Sequence, residues 1–134
     1  MSAREIFGGV TAGRSAPLFP AAIAYGELVL LSGQAPLDPS TGAVVEGGFR
    51  AQARCVLDRI AQTLVDAGSG MGDVLRVVCI LADAADFAEW NEEFESRFPE
   101  PRPVRTTLVA GFVLPGMLIE VEVTAARHLD GAAA

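Results

Sequence analysis

Lysine is missing from this 134-residue chain: all ten basic residues are arginine. That absence excludes a Schiff-base lysine, a phosphate-loop lysine and a lysine general base. Histidine is nearly missing, with His128 alone near the C-terminal end, and Cys55 and Cys79 stand far apart without a CxxC spacing. No zinc site can be assembled from such a set in one chain, and no glycine-rich nucleotide loop opens a helix, so with lysine absent neither metal nor organic cofactor is expected. Both thiols read as buried core positions. No apolar run approaches the roughly 18 residues of a membrane span, and Met-Ser-Ala-Arg-Glu at the start has no apolar leader core. The expected location is the cytoplasm, without a membrane partner. A net charge of −7 leaves too few clustered cations for a nucleic-acid partner. A length of 134 residues fits one domain over 1–134, with the Ala-rich tail 131–134 expected to be disordered.

What is abundant is apolar residues, 51% of the chain. Their longest runs, residues 28–31 and 77–82, are strand-sized, so the excess predicts a sheet and a subunit interface. Residues 3–7 and 21–25 read as short strands, and 27–34 (ELVLLSGQ) as a firm one, closed by the turn signal Asp38-Pro39-Ser40-Thr41-Gly42. From Gly48 the period becomes helical, with Phe49, Ala53, Val56, Leu57, Ile60 and Leu64 on one stripe and Gly68 at its end. Residues 73–82 predict a strand covered on both faces. A second helix begins near Asp83 as N-cap. It sets Phe87, Trp90, Phe94 and Phe98 on one face, leaves Glu89, Glu92, Glu93 and Glu95 outside, and stops at Pro99, Pro101 and Pro103.

The last third reads as a hairpin, with 104–111 going out and 117–127 returning. Alternation assigns Ile119, Val121, Val123 and Ala125 to a core face and Glu120, Glu122 and Thr124 to the other. A turn near residue 113 sets Arg105 across from residues 120–122. The pair then reads either as a surface or interface ion pair, or as a small site in which Arg105 holds a carboxylate and Glu120 handles protons.

One order of motifs spans residues 17–127: Ser32-Gly33-Gln34, Pro36, Asp38 to Gly42, Ala51-Gln52, Ala67-Gly68, Asp86-Phe87 with Asn91 and Phe98, Pro103-Val104-Arg105, then Leu114-Pro115-Gly116 running into Ile119-Glu120-Val121-Glu122. In that order and spacing the chain resembles the Rid family of reactive intermediate deaminases, also called YjgF-like proteins. The resemblance implies a chorismate-mutase-like α+β fold, a mixed six-stranded sheet with two helices packed on one face. It also implies a homotrimeric barrel with clefts between subunits. The implied activity is cofactor-free hydrolysis of 2-imino acids and their enamine tautomers to 2-keto acids and ammonia. Arg105 stands where the family binds a substrate carboxylate and Glu120 at its site carboxylate, while Gly33, Thr107 and Asn91 match positions lining the cleft. Many members carry a tyrosine where this chain has Pro17-Leu18-Phe19-Pro20. Counted back from Gly26 the position is Phe19, counted forward from Pro17 it is Leu18, and the hydroxyl is lost either way. Two alternatives stand beside the hydrolase: an enzyme adapted to a larger substrate in a specialised pathway, and a non-catalytic trimer that binds small ligands. An endoribonuclease role attached to some relatives fits poorly with the acidic charge.

Overall fold

The computed structural model describes residues 3–129 apart from Ala12 and Arg14, and the Ala-rich tail lies outside them. The chain order is β1 (Glu5–Phe7), β2 (Ala22–Tyr25), β3 (Leu28–Leu31), α1 (Gly48–Asp66), β4 (Val74–Leu81), α2 (Phe87–Arg97), β5 (Val104–Val109) and β6 (Ile119–Ala126). Six strands form one mixed sheet in the order β1-β2-β3-β6-β4-β5. The helices and the buried residues of the sheet share one core. Phe49, Ala53, Val56, Leu57, Ile60 and Leu64 of α1 meet Val29, Val77, Cys79, Val121, Val123 and Ala125 there. The stripe read from the sequence is thus the face α1 buries, as burial of apolar surface requires. Among the described residues, no helix is long and apolar enough to cross a membrane.

The last third is not a hairpin. β4 lies between β5 and β6, pairing parallel with β5 and antiparallel with β6. Arg105 is level with Val77, which is level with Val123, whereas Glu120 is level with Ile80 and, beyond it, Leu108. Arg105 and Glu120 are therefore not cross-strand neighbours, and Arg105 makes no ion pair with a carboxylate among the described residues. The pairing of Arg105 with Glu120 or Glu122 across one hairpin falls with it.

Four smaller expectations are also corrected. Within this chain β4 is covered on one face only: Val74, Val77, Cys79 and Leu81 are buried, but Leu75 and Arg76 are exposed. Glu93 is not outside; it is buried between α1 and α2, 2.9 Å from Arg50 and 3.3 Å from Arg54, where the two guanidiniums compensate its charge. Cys55 is only half-buried, while Cys79 is fully buried. Asp83 does cap, but it caps a single 3₁₀ turn, Ala84–Asp86, by accepting the Ala85 N–H at 2.8 Å, and α2 itself starts at Phe87.

Candidate functional site

The residues singled out in the sequence gather into two groups rather than one. The first is built on β5 and α2. Arg105 shares the register of buried Val77, so its side chain leaves the sheet on the helix side. There the guanidinium carbon sits 4.7 Å from the Phe94 ring centroid and 5.6 Å from that of Phe87. Phe87 and Phe94 lie seven residues apart, about two helical turns, and so share a face of α2. Cation–π contact holds the guanidinium without using its N–H donors, which stay available for an anion. Asn91, one turn from each ring, lines with Phe94, Glu95, Arg102 and Arg105 an open cavity of about 410 Å³. Its buried Oδ1 has no hydrogen-bond partner among the described residues. Thr107 follows Arg105 by one pleat on the same face, half-buried and level with Cys79.

The second group is built on β6 and the end of β3. Glu120 alternates with buried Ile119 and Val121, so it projects from the sheet face that carries no helix. Gly33 lies where the chain leaves β3. Leu31 faces the core, and Gln34 faces it again after two residues instead of one, fixed by two backbone hydrogen bonds to Val121. The extra residue turns the Gly33 backbone toward Glu120. A Cβ on Gly33 would stand 2.6 Å from Glu120 Oε2, 3.1 Å from Cδ and 3.3 Å from Cγ, so the carboxylate occupies the space a side chain would take. Phe19 is exposed and lines with Gly33 a cavity of about 200 Å³. Burial pushes the Glu120 carboxyl above the ordinary carboxylate value, and the negative charge of Glu122 adds to the rise.

Gly33→Ala tests the contact. The carboxylate is the far end of a flexible side chain and can swing away, so Tm is expected to change by only about 2–4 °C, roughly 1 kcal/mol in a domain of this size. Displacing a proton-transfer group by about 1 Å costs on the order of 10²-fold in turnover. Unchanged turnover in a folded Gly33→Ala protein would show that the position of this carboxylate is immaterial.

The two groups do not meet within one chain. Arg105 and Glu120 leave opposite faces of the sheet, and in register they stand roughly 10 Å apart along the strands and about two strand spacings across. Neither thiol is primed as a nucleophile: burial lifts Cys79 to about 12 despite the nearby Arg105 guanidinium, and burial raises Cys55 as well. Among the described residues, no three His, Cys, Asp or Glu side chains cluster to hold a metal ion. What the arrangement offers is a guanidinium with uncommitted N–H donors on one edge and a carboxylate of raised pKa on the opposite face.

A mixed six-stranded sheet backed by two helices, with these residues at these positions, defines a class shared with known proteins. The family model described as Endoribonuclease L-PSP matches residues 12–127, and the chain belongs to this family, which is the Rid or YjgF-like family. It is 39% identical over 106 residues to the 3-aminoacrylate deaminase RutC of Acinetobacter baylyi, covering 79% of this chain and 83% of that one. It is 35% identical over 106 residues to the 2-iminobutanoate/2-iminopropanoate deaminase of Salmonella typhimurium, covering 77% and 82%. The crystal structure of RidA from an Antarctic Psychrobacter superposes with a TM-score of 0.81 at 30% identity, over 91% of this chain and 98% of that one.

Proposed function

We propose that this protein hydrolyses 2-imino acids, and the enamines that tautomerise to them, in a cleft formed where two copies bring the two groups together. The single observation that carries this reading is the split itself. Arg105 and Glu120 are the residue types the reaction needs, and they leave one chain on opposite faces. The relatives named as deaminases of 3-aminoacrylate and of 2-iminopropanoate supply the reaction class. The substrate carboxylate sits on the free N–H fork of Arg105, a bidentate geometry that fixes the orientation of the adjacent C=N carbon. Asn91 and Thr107 line that side of the cleft, with the unpartnered Asn91 Oδ1 as an acceptor. The imine reacts as its N-protonated form. From the other copy, Glu120 takes a proton from water as the water oxygen bonds to the iminium carbon and the C=N π pair moves to nitrogen, giving a neutral carbinolamine. The carboxyl passes that proton to the amino nitrogen, then takes the hydroxyl proton as the C–N bond breaks and C=O forms, leaving a keto acid and ammonia, which carries the proton away as ammonium. Burial and the neighbouring Glu122 raise the pKa of Glu120, which makes it a stronger proton acceptor than an ordinary carboxylate. Phe19 and the Gly33 backbone wall this side.

Complementation tests the shared cleft. Arg105→Ala and Glu120→Gln proteins, each inactive alone, are unfolded together, refolded as a mixture and assayed for keto-acid release from 2-iminopropanoate. A cleft between copies regains about one quarter of wild-type activity at equal mixing, because half the clefts draw an intact Arg105 and half of those an intact Glu120. A site contained within one chain regains none.

A further inference from the structure

The cavity of about 200 Å³ at Gly33 is more than a gap beside the cleft. Its lining includes Val10, Phe19, Ala21, Gly33 and Leu37, and one charged side chain, Arg59 of α1. Arg59 is half-buried, donates from Nη1 to the Leu37 carbonyl at 3.2 Å, and keeps a buried Nε–H with no acceptor. Among the described residues no carboxylate lies within ion-pair distance of it. The two acidic residues that line the larger neighbouring cavity with Arg59 are engaged elsewhere. Asp38 accepts the Ser40 and Thr41 N–H groups, and Asp58 pairs with Arg97 at 2.8 Å. A guanidinium with one direct acceptor and no counter-ion keeps donor capacity and charge for a ligand in the cavity it lines.

We propose that this cavity receives the side chain of the substrate, and that Arg59 recognises an acidic group at the end of that side chain. The inference rests on the imine-hydrolase reading and names its substrate class: 2-imino acids of short dicarboxylic acids. At roughly 30 Å³ for each water-sized group, the volume holds about six non-hydrogen atoms, enough for two or three methylenes and a carboxylate. Val10, Phe19, Ala21 and Leu37 accept the methylenes, beside the polar Ser32 and Gln34. A planar guanidinium that is partly withdrawn from water selects a carboxylate over a methyl group of equal reach.

The experiment compares two stable five-carbon keto acids that differ only in the end group, 2-oxoglutarate and 2-oxopentanoate, by calorimetric titration. Wild-type protein is expected to bind 2-oxoglutarate about tenfold or more tightly, the worth of a charge-assisted contact. Arg59→Met keeps the apolar stem and is expected to erase or reverse that preference. Arg59→Gln, which keeps an N–H donor without charge, is expected to fall between and stands in should the Met variant not fold. An unchanged ratio in either folded variant, a wild-type preference for 2-oxopentanoate, or no binding of either acid at millimolar concentration would overturn the proposal. Turnover of the imines made from alanine and from glutamate separates the two levels. If wild type hydrolyses neither while the Arg59-dependent binding ratio persists, the hydrolase reading fails and the acid-recognising cavity stands.

Discussion

Arg105→Ala is expected to lower kcat/KM for 2-iminopropanoate by about 10²- to 10³-fold, roughly 3–4 kcal/mol of lost transition-state binding, with the fold intact. The size follows from losing a bidentate, charge-assisted contact to the substrate carboxylate. The intact fold follows from what Arg105 touches: it is exposed, carries no ion pair among the described residues, and contributes only its stacking on Phe87 and Phe94. Such stacking at an accessible site is worth about 0.5–1 kcal/mol. Arg105→Lys restores charge but neither the planar fork nor the fit against the rings, and is expected to recover less than about tenfold of the loss. Steady-state kinetics with freshly generated imine, alongside thermal melts, decides the matter. Wild-type hydrolysis by a correctly assembled Arg105→Ala protein would remove Arg105 from the site, whereas no hydrolysis by the wild-type protein itself would advance the non-catalytic reading.

Glu120→Gln should act in the opposite sense on stability. It preserves shape and removes the proton acceptor, so kcat is expected to fall by about 10²- to 10⁴-fold with little change in KM. The fold gains, because the wild-type carboxylate is charged against the resistance of burial and of Glu122. Its pKa is raised in the folded protein, so the folded state binds this proton more tightly than the unfolded chain does. The stability it contributes is complete below the ordinary carboxylate range and is lost as pH rises through the raised value. Gln carries no such penalty, so the variant is expected to melt above wild type at pH 7–8 and to converge with it below about pH 4. Equal kcat, or a Tm difference that grows toward acid, would contradict the assignment. Activity and stability pull apart here as they do where a functional group is held in an unfavourable environment.

The elements were legible because their periods are local. The stripe from Phe49 to Leu64 is the buried face of α1, and the alternation from Ile119 to Ala125 is the buried face of β6. The partnership of the last strands was not legible, because Leu114-Pro115-Gly116 is turn chemistry whether the flanking strands pair or admit a third. Two clues stood in the sequence all the same. The near-continuous apolar run of β4 belongs to a strand with neighbours on both sides. The stretch 110–118 is longer than the two to five residues of ordinary hairpin loops. The motif order points to Arg105, Glu120, Gly33, Thr107, Phe19 and Asn91, and alternation gives the face of Glu120, but that Arg105 leaves the opposite face follows only from its register with buried Val77. In the sequence Phe87 and Phe94 show only as members of one aromatic helix face, and such a face reads as core. Only the placement of Arg105 against both rings reveals them as its support. Arg59 gave no signal at all, since an arginine off the apolar stripe of an amphipathic helix looks like any solvated charge.

The way Arg105 is held bears on how an anion reaches it. A guanidinium fixed by a neighbouring carboxylate is already neutralised, and an incoming acid must compete for it. One fixed by two ring faces keeps its full charge in a chain whose net charge is −7. Approach from a distance is therefore uphill, against a repulsive field whose reach shrinks to about 8 Å at physiological ionic strength. On the proposed reading, capture happens at contact range, where that single unspent charge outweighs the field, and small acids of one or two charges cross the barrier at modest cost.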